Sequence, residues 1–160
     1  MTLPGLLHAF LIGGVSGLRA MTAPAAVSWG AHLGWIDLSQ TPLAFLGYAA
    51  TPYIVSLLAV LELIADKLPS TPSRKAPPGF IARLGLGTFS GYALSLGIGQ
   101  SGVIGAVLGF AGAIAGTLGG YEARTRSAKA LKVPDLVVAL LEDAIAIAIG
   151  LSAVHHNQPL

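Results

Sequence analysis

Residues 84–121 read LGLGTFSGYALSLGIGQSGVIGAVLGFAGAIAGTLGGY, an apolar, glycine-rich run broken only at Gly99-Gln100-Ser101-Gly102. A helix rises about 1.5 Å per residue and a bilayer's hydrocarbon core is about 30 Å thick, so each half suits one crossing. Cations bound the run on both sides. Lys67, Arg74, Lys75 and Arg83 precede it, and Arg124, Arg126, Lys129 and Lys132 follow it. Together they are eight of the nine Lys and Arg residues of the chain. Cationic loops stay on the cytoplasmic side of a membrane. The pattern predicts a helical hairpin with its tip outside and both basic stretches inside.

Composition points the same way. Hydrophobic residues are 54% of the 160-residue chain and charged residues 10%, against about 25% charged in soluble domains. The mean hydropathy is +0.75 and the pI about 9.2. Because the excess positive charge sits in two loops, it signals topology and anionic lipid rather than nucleic acid. Lys67, Arg74, Lys75, Arg124, Arg126, Lys129 and Lys132 are the expected headgroup contacts. The chain has no cysteine, which excludes disulfides and thiol chemistry. No Lys or Arg precedes the apolar run of MTLPGLLHAFLIGG, so no cleaved signal peptide is expected.

The fold expected is an all-α transmembrane bundle, one domain over residues 1–160, with five spans at 3–18, 42–65, 80–98, 103–121 and 134–154. Pro52 marks a kink or true start in the second span, and Pro134 with Asp135 suits a helix start. With both basic loops inside, the N-terminus falls inside and the C-terminus outside. A single helix over 3–36 would be about 50 Å long, too long for one crossing. Arg19 and Pro24 mark the break, and 22–36 reads as a shorter helix, re-entrant or at the outer interface, anchored by Trp29 and Trp35. Residues 13–22 resemble 116–125, and 57–62 resemble 137–142. That pairs 3–69 with 101–154 as repeats, linked by the span at 80–98. A displacement of three spans would make the copies inverted, as in many small transporters.

Small residues recur every four positions. Gly87, Gly91, Ser95 and Gly99 share one face, and Gly105, Gly109, Gly112, Gly116 and Gly120 another. Such faces admit close helix packing in lipid, within the chain or in a homodimer. The acids are the sharper signal. Glu62 and Asp66 share a helix face, and Glu142 with Asp143 lies two turns into the last span. Ionisable groups at such depth are costly unless paired or hydrated. Two readings stand side by side: a cation or proton site, or structural pairs of Glu62 or Asp66 with Arg83 and of Glu142 with Arg19 or Arg124. Arg19 sits at the break, where it binds an anion or carboxylate or snorkels to headgroups. Gly14-Val15-Ser16-Gly17 and Ala31-His32-Leu33-Gly34 look like rhomboid-protease signatures, but Ser16 and His32 lie too close in sequence for separate spans. No phosphate-binding glycine loop occurs, and His8, His155 and His156 lack ligand-like partners in sequence. No cofactor, metal site or enzymatic activity is expected.

These landmarks resemble a family. Gly17-Leu18-Arg19-Ala20, then Glu62-Leu63-Ile64-Ala65-Asp66-Lys67-Leu68-Pro69 with Pro72-Ser73-Arg74, are similar to bacterial membrane proteins grouped as domain of unknown function 4126. Gly119-Gly120-Tyr121-Glu122-Ala123-Arg124, Pro134-Asp135 and Leu141-Glu142-Asp143-Ala144 extend the similarity over nearly the whole chain. The resemblance implies a helical inner-membrane protein and no particular activity. The function expected is that of a small, dimeric, transporter- or channel-like protein for an ion or small solute. Glu62, Asp66, Glu142 and Asp143 would form its polar site, with Arg19 and Arg124 as counter-charges. The alternative is a non-transporting assembly or anionic-lipid-binding module.

Overall fold

The computed structural model describes residues 2–67, 76–131 and 134–156, and every regular element among them is helical. The helices are α1 (Leu3–Leu18), α2 (Thr22–His32), α3 (Thr51–Ala65), α4 (Pro77–Gly97), α5 (Gly102–Leu131) and α6 (Asp135–His155), with a 3-10 turn at Ala44–Gly47 before α3. Arg74, Lys75 and Lys132, expected at lipid headgroups, lie outside the described residues, as does the side chain of Lys129.

Local chemistry explains the boundaries. Thr2 caps α1, its hydroxyl accepting the Gly5 N–H, and Pro4 occupies the first turn, where a missing N–H costs nothing. Pro52 does the same for α3, and Pro77 with Pro78 for α4. Pro52 is thus a helix start, and 42–50 is a separate segment. Gly99, at φ +68°, closes α4 in the left-handed region that favours glycine. The α5 helix continues ten residues beyond Tyr121, carried by the Glu122–Arg126 pair at 3.3 Å. Hydropathy marked where apolar character ends, not where the helix ends.

The α1 helix is the centre of the bundle, packed against α4, α5 and α6. Gly13, Gly14 and Gly17 lie on the backbone of α5: a Cβ on Gly13 would meet the Gly109 Cα at 2.6 Å, and one on Gly17 the Thr117 N at 2.6 Å. On the other flank Gly87 and Gly91 approach Gly105 and Gly109, while Gly112 and Gly116 face Phe10 and Gly14. Gly120 lines a cavity against α6. Both expected small-residue faces are therefore engaged within the chain along most of their length.

Contacts along the helices fix their directions and correct the expected topology. Gly5 lies beside Gln100, Gly13 beside Gly109 and Gly17 beside Gly116, so α1 runs parallel to α5. Gln100 Nε2 donates to Thr2 Oγ1 at 2.7 Å, and the His8 and His156 rings are 6.1 Å apart. Thr2, the Gly99–Ser101 tip and His156 share one end of the bundle, hereafter the tip end. Thr2 and His156 thus lie at the same end of the bundle, an arrangement that N-terminus in and C-terminus out does not give. The cause is α2. After Arg19 the chain turns and α2 climbs back to the tip end, where Gly30 meets Val154 and the Trp35 ring stands edge-on to His155 at 4.8 Å. This return leg reverses everything before it. It also undoes the inverted repeat as aligned, because α1 and α5 point the same way whereas α3 and α6 are antiparallel.

Nor does α2 lie at an interface. Thr22 to Ser28 and Gly30 are buried, and Ala23, Ala26 and Val27 join Ile12, Val15 and Leu94 in the core. By length and hydropathy, Gly102–Ser127 and Asp135–His155 are the helices that satisfy the requirement for a membrane span, while α1 and α3 are apolar but shorter.

Candidate functional site

At the end opposite the tip, the break between α1 and α2 meets the C-terminal end of α3, the start of α4 and the middle of α6. Arg19 is the hub. It takes extended backbone angles, φ −142° and ψ 109°, which end α1 and throw its side chain into the bundle with 0% exposure. Its Nε donates to Asp143 Oδ1, its Nη1 lies 3.0 Å from Asp66 Oδ2, and its Nη2 lies 3.7 Å from Glu142 Oε2. An isolated buried guanidinium would be prohibitively costly, so three carboxylates from two helices converge on it. The expectation that Arg19 snorkels to headgroups is corrected.

Three more cations complete the set. Lys67 Nζ donates to Asp143 Oδ2 at 2.6 Å and to the Leu63 carbonyl at 2.9 Å. Arg83 Nη2 lies 3.4 Å from Asp66 Oδ2 and 3.8 Å from Glu62 Oε1. Arg124 Nη1 lies 3.9 Å from Glu142 Oε2, while its Nε donates to Asp135 Oδ1 at 2.9 Å. Lys67, expected at lipid headgroups, has its head turned onto an acid, and Arg124, expected either at headgroups or as a counter-charge, lies against Asp135 and Glu142. Among the described residues Arg126 is the expected headgroup cation that stays exposed, at 81%.

Glu62 has a second task. The first N–H groups of a helix lack intrahelical partners, and no side chain of α2 or its N-cap residue Met21 satisfies them. From α3, Glu62 holds the turn that enters α2: Oε1 accepts the Ala20 N–H and Oε2 the N–H of the N-cap residue Met21, both at 2.7 Å, while the Thr22 N–H goes to the Arg19 carbonyl at 3.2 Å. Its charge also complements the positive end of the α2 dipole. The α1–α2 break is braced further by Ser16, whose hydroxyl donates to the Arg83 carbonyl at 3.0 Å, and by Arg83 Nη1 on the Gly17 carbonyl at 3.4 Å.

The structure therefore brings Glu62, Asp66, Glu142, Asp143, Arg19 and Arg124 into one network with Lys67 and Arg83. Glu62 and Glu142 are linked through Arg83, Asp66 and Arg19. Each of the four acids lies against a protein cation, and Arg124 is shared between Glu142 and Asp135. Sequence reasoning missed the bridging role of Lys67 and the use of Glu62 as a cap from a distant helix. The former was readable only as one more loop cation. Among the described residues no group of three or more metal-ligating side chains occurs. Ser16 lies at the network, whereas His32 is at the far end of α2 with Nδ1 3.1 Å from the Gly47 carbonyl, so the two form no catalytic pair.

One helix is attached unusually. The packing partners of α3 are α2 and the 3-10 turn, and only Pro52 and Ala59 along it are buried. Tyr53, Ile54, Leu57, Leu61 and Ile64 are exposed. Near its start, Ser56 accepts the Trp29 Nε1–H at 2.9 Å and the Tyr53 ring stands edge-on to Trp29. Thr51 donates to the Phe45 carbonyl, and at the other end the attachment is charged: Glu62 in the last turn, with Asp66 and Lys67 just beyond it.

Searches of the curated proteins and of the solved structures find no match. The family model described as Domain of unknown function (DUF4126) matches residues 6–158, nearly the whole chain, and the chain accordingly belongs to that family.

Proposed function

We propose that this is a multi-pass membrane protein of transporter-like design, not an enzyme, in which α3 is a movable gate and the charge network is its latch. The observation that carries this reading is the attachment of α3: most of its length is apolar and exposed, it packs on α2 and the 3-10 turn, and the charged residues at its end, Glu62, Asp66 and Lys67, tie it to the α1–α2 break, α4 and α6. A helix fixed by ion pairs responds to anything that neutralises them, a proton or a charged solute.

The placement of the network supports a membrane setting. Asp143 is about 12 Å along α6 from its start and about 18 Å from its tip-end terminus. Leu136, Leu140 and Leu141 are exposed on one side of it and Ile145, Ile147 and Leu151 on the other. Apolar surface on both sides of the charges is what a site inside hydrocarbon requires. In this arrangement α3 to α6 make four crossings, the basic end is cytoplasmic, and α1 with α2 forms a re-entrant hairpin entered and left at the tip end. α1 at about 24 Å and α3 at about 22 Å are both shorter than the hydrocarbon core, and α1 ends at the buried break. A broken helix inside the bilayer is tolerated where it is buried in protein, and broken helices build the sites of many transporters.

The pairing of each of the four acids with a protein cation favours a second reading, in which the network only holds the fold and the protein organises lipid or partners. Solute counterflow in proteoliposomes separates the two. Chains carrying Val60→Cys and Ile147→Cys, bridged by a short bis-maleimide, should lose counterflow of whichever solute the wild type exchanges. Exchange that survives the bridge, or no exchange by the wild type across a panel of ions, metabolites and amphiphiles, overturns the gate.

A further inference from the structure

Between α2, α3 and α6 lies a cavity of about 440 Å³, running from Thr22 and Leu63 at the network to Trp35 and Leu151 toward the tip end. That volume is within the range of small-molecule sites. Its wall is hydrocarbon and indole, and Ser56, one of two hydroxyl residues on it, is engaged by Trp29. Water needs two to four polar partners to occupy such a space, and apolar cavities of this kind stay dry. Val60 on one rim and Ile147 on the other are exposed, so the cavity opens sideways between α3 and α6. Its long axis follows these two antiparallel helices.

We propose that this cavity holds an acyl chain of a bilayer phospholipid, entering laterally between α3 and α6. At the depth of α6 the medium outside the slot is hydrocarbon, and the slot is aligned with the chains of that medium. A chain satisfies an apolar wall that water cannot, and two tryptophans give it large, rigid contact surfaces. The inference rests on the membrane setting argued above and names the class of molecule that the gate helix would admit: an amphiphile with a hydrocarbon tail rather than a bare ion.

The chain has two tryptophans, Trp29 and Trp35, and both line the cavity, so indole emission reports on it directly. The test reconstitutes the full chain in phosphatidylcholine vesicles whose acyl chains are brominated near their middle, since bromine quenches indole on contact. Wild-type emission should fall at least twofold relative to unbrominated vesicles. Ala59→Phe and, independently, Leu151→Phe fill the slot and should recover most of that loss, whereas Val103→Phe on the exposed side of α5 should not. Equal quenching in all four proteins means ordinary contact with surrounding lipid and overturns the proposal. Absence of quenching, with two chains cross-linking through Val60→Cys, assigns the slot to a second copy and also overturns it. Occupancy is read here with α3 at rest, so failure of this test leaves the gate reading standing, and failure of the gate leaves this one standing.

Discussion

Thr2 and Gln100 are hydrogen-bonded at 2.7 Å although 98 positions apart, and this bond places the start of the chain beside the α4–α5 tip. It predicts sidedness. The native chain has no cysteine, so single-cysteine labelling in intact cells is clean. Leu3→Cys and Ser101→Cys should react with an impermeant maleimide from one side and Ala130→Cys, near the end of α5, from the other. Leu3→Cys and Ala130→Cys reacting from the same side would sink the re-entrant hairpin.

The bond between Glu62 and the Ala20 and Met21 amides makes a graded prediction. Glu62→Gln keeps an oxygen that accepts one amide but loses the charge, and Glu62→Ala loses both. Loss of a cap costs about 0.5–2 kcal/mol, with the broken ion pair added. Thermal unfolding in detergent should rank wild type above Glu62→Gln and Glu62→Ala lowest. Indistinguishable midpoints for all three would show that α2 needs no cap from α3.

Arg19 predicts non-additivity. Arg19→Met leaves three partly buried carboxylates short of their shared partner and should destabilise by about 3–5 kcal/mol. Arg19→Met with Asp143→Asn removes charge from both sides and should be less unstable than the sum of the single changes, because residues in one network couple. Simple additivity in a double-mutant cycle counts against the network.

The packing of α1 on α5 separates two kinds of glycine. Gly13→Leu drives a side chain into the Gly109 backbone, and overpacking of this sort costs about 3 kcal/mol or more. Gly119 has nothing within 4 Å of its Cβ position, so Gly119→Ala should be neutral or stabilising by up to about 1 kcal/mol through helix propensity. Comparable loss of folded protein from both changes would mean that close approach is not what Gly13 provides.

The sequence made the α4–α5 hairpin and the ionisable residues legible because both are local signals: apolar length, small-residue spacing, and charge at improbable depth. The pairings of Glu62 or Asp66 with Arg83 and of Glu142 with Arg19 or Arg124 were readable because acids at such depth call for cationic partners, though Lys67, next to Asp66, was not among them. The direction of α1 was not. Residues 22–36 are too short and too mixed to register as a span, yet one uncounted return leg inverts the topology of what precedes it. Glu62, which holds the Ala20 and Met21 amides at the entry to α2, is some forty residues away, and no window around Thr22 contains it. The 13–22 and 116–125 similarity misled for a related reason: the glycines recur because α1 and α5 pack on each other in parallel, which needs the same spacing on both.

The latch on α3 is tested most directly by the distance between spin labels at Val60→Cys on α3 and Ile147→Cys on α6, measured by pulsed electron resonance in lipid. With the network intact the account predicts one narrow, short distribution. With Glu62→Gln and Asp66→Asn added, it predicts a broad distribution shifted to longer distances while the helical content is retained. An unchanged narrow distance in the variant would contradict the claim that Glu62 and Asp66 hold α3 in place.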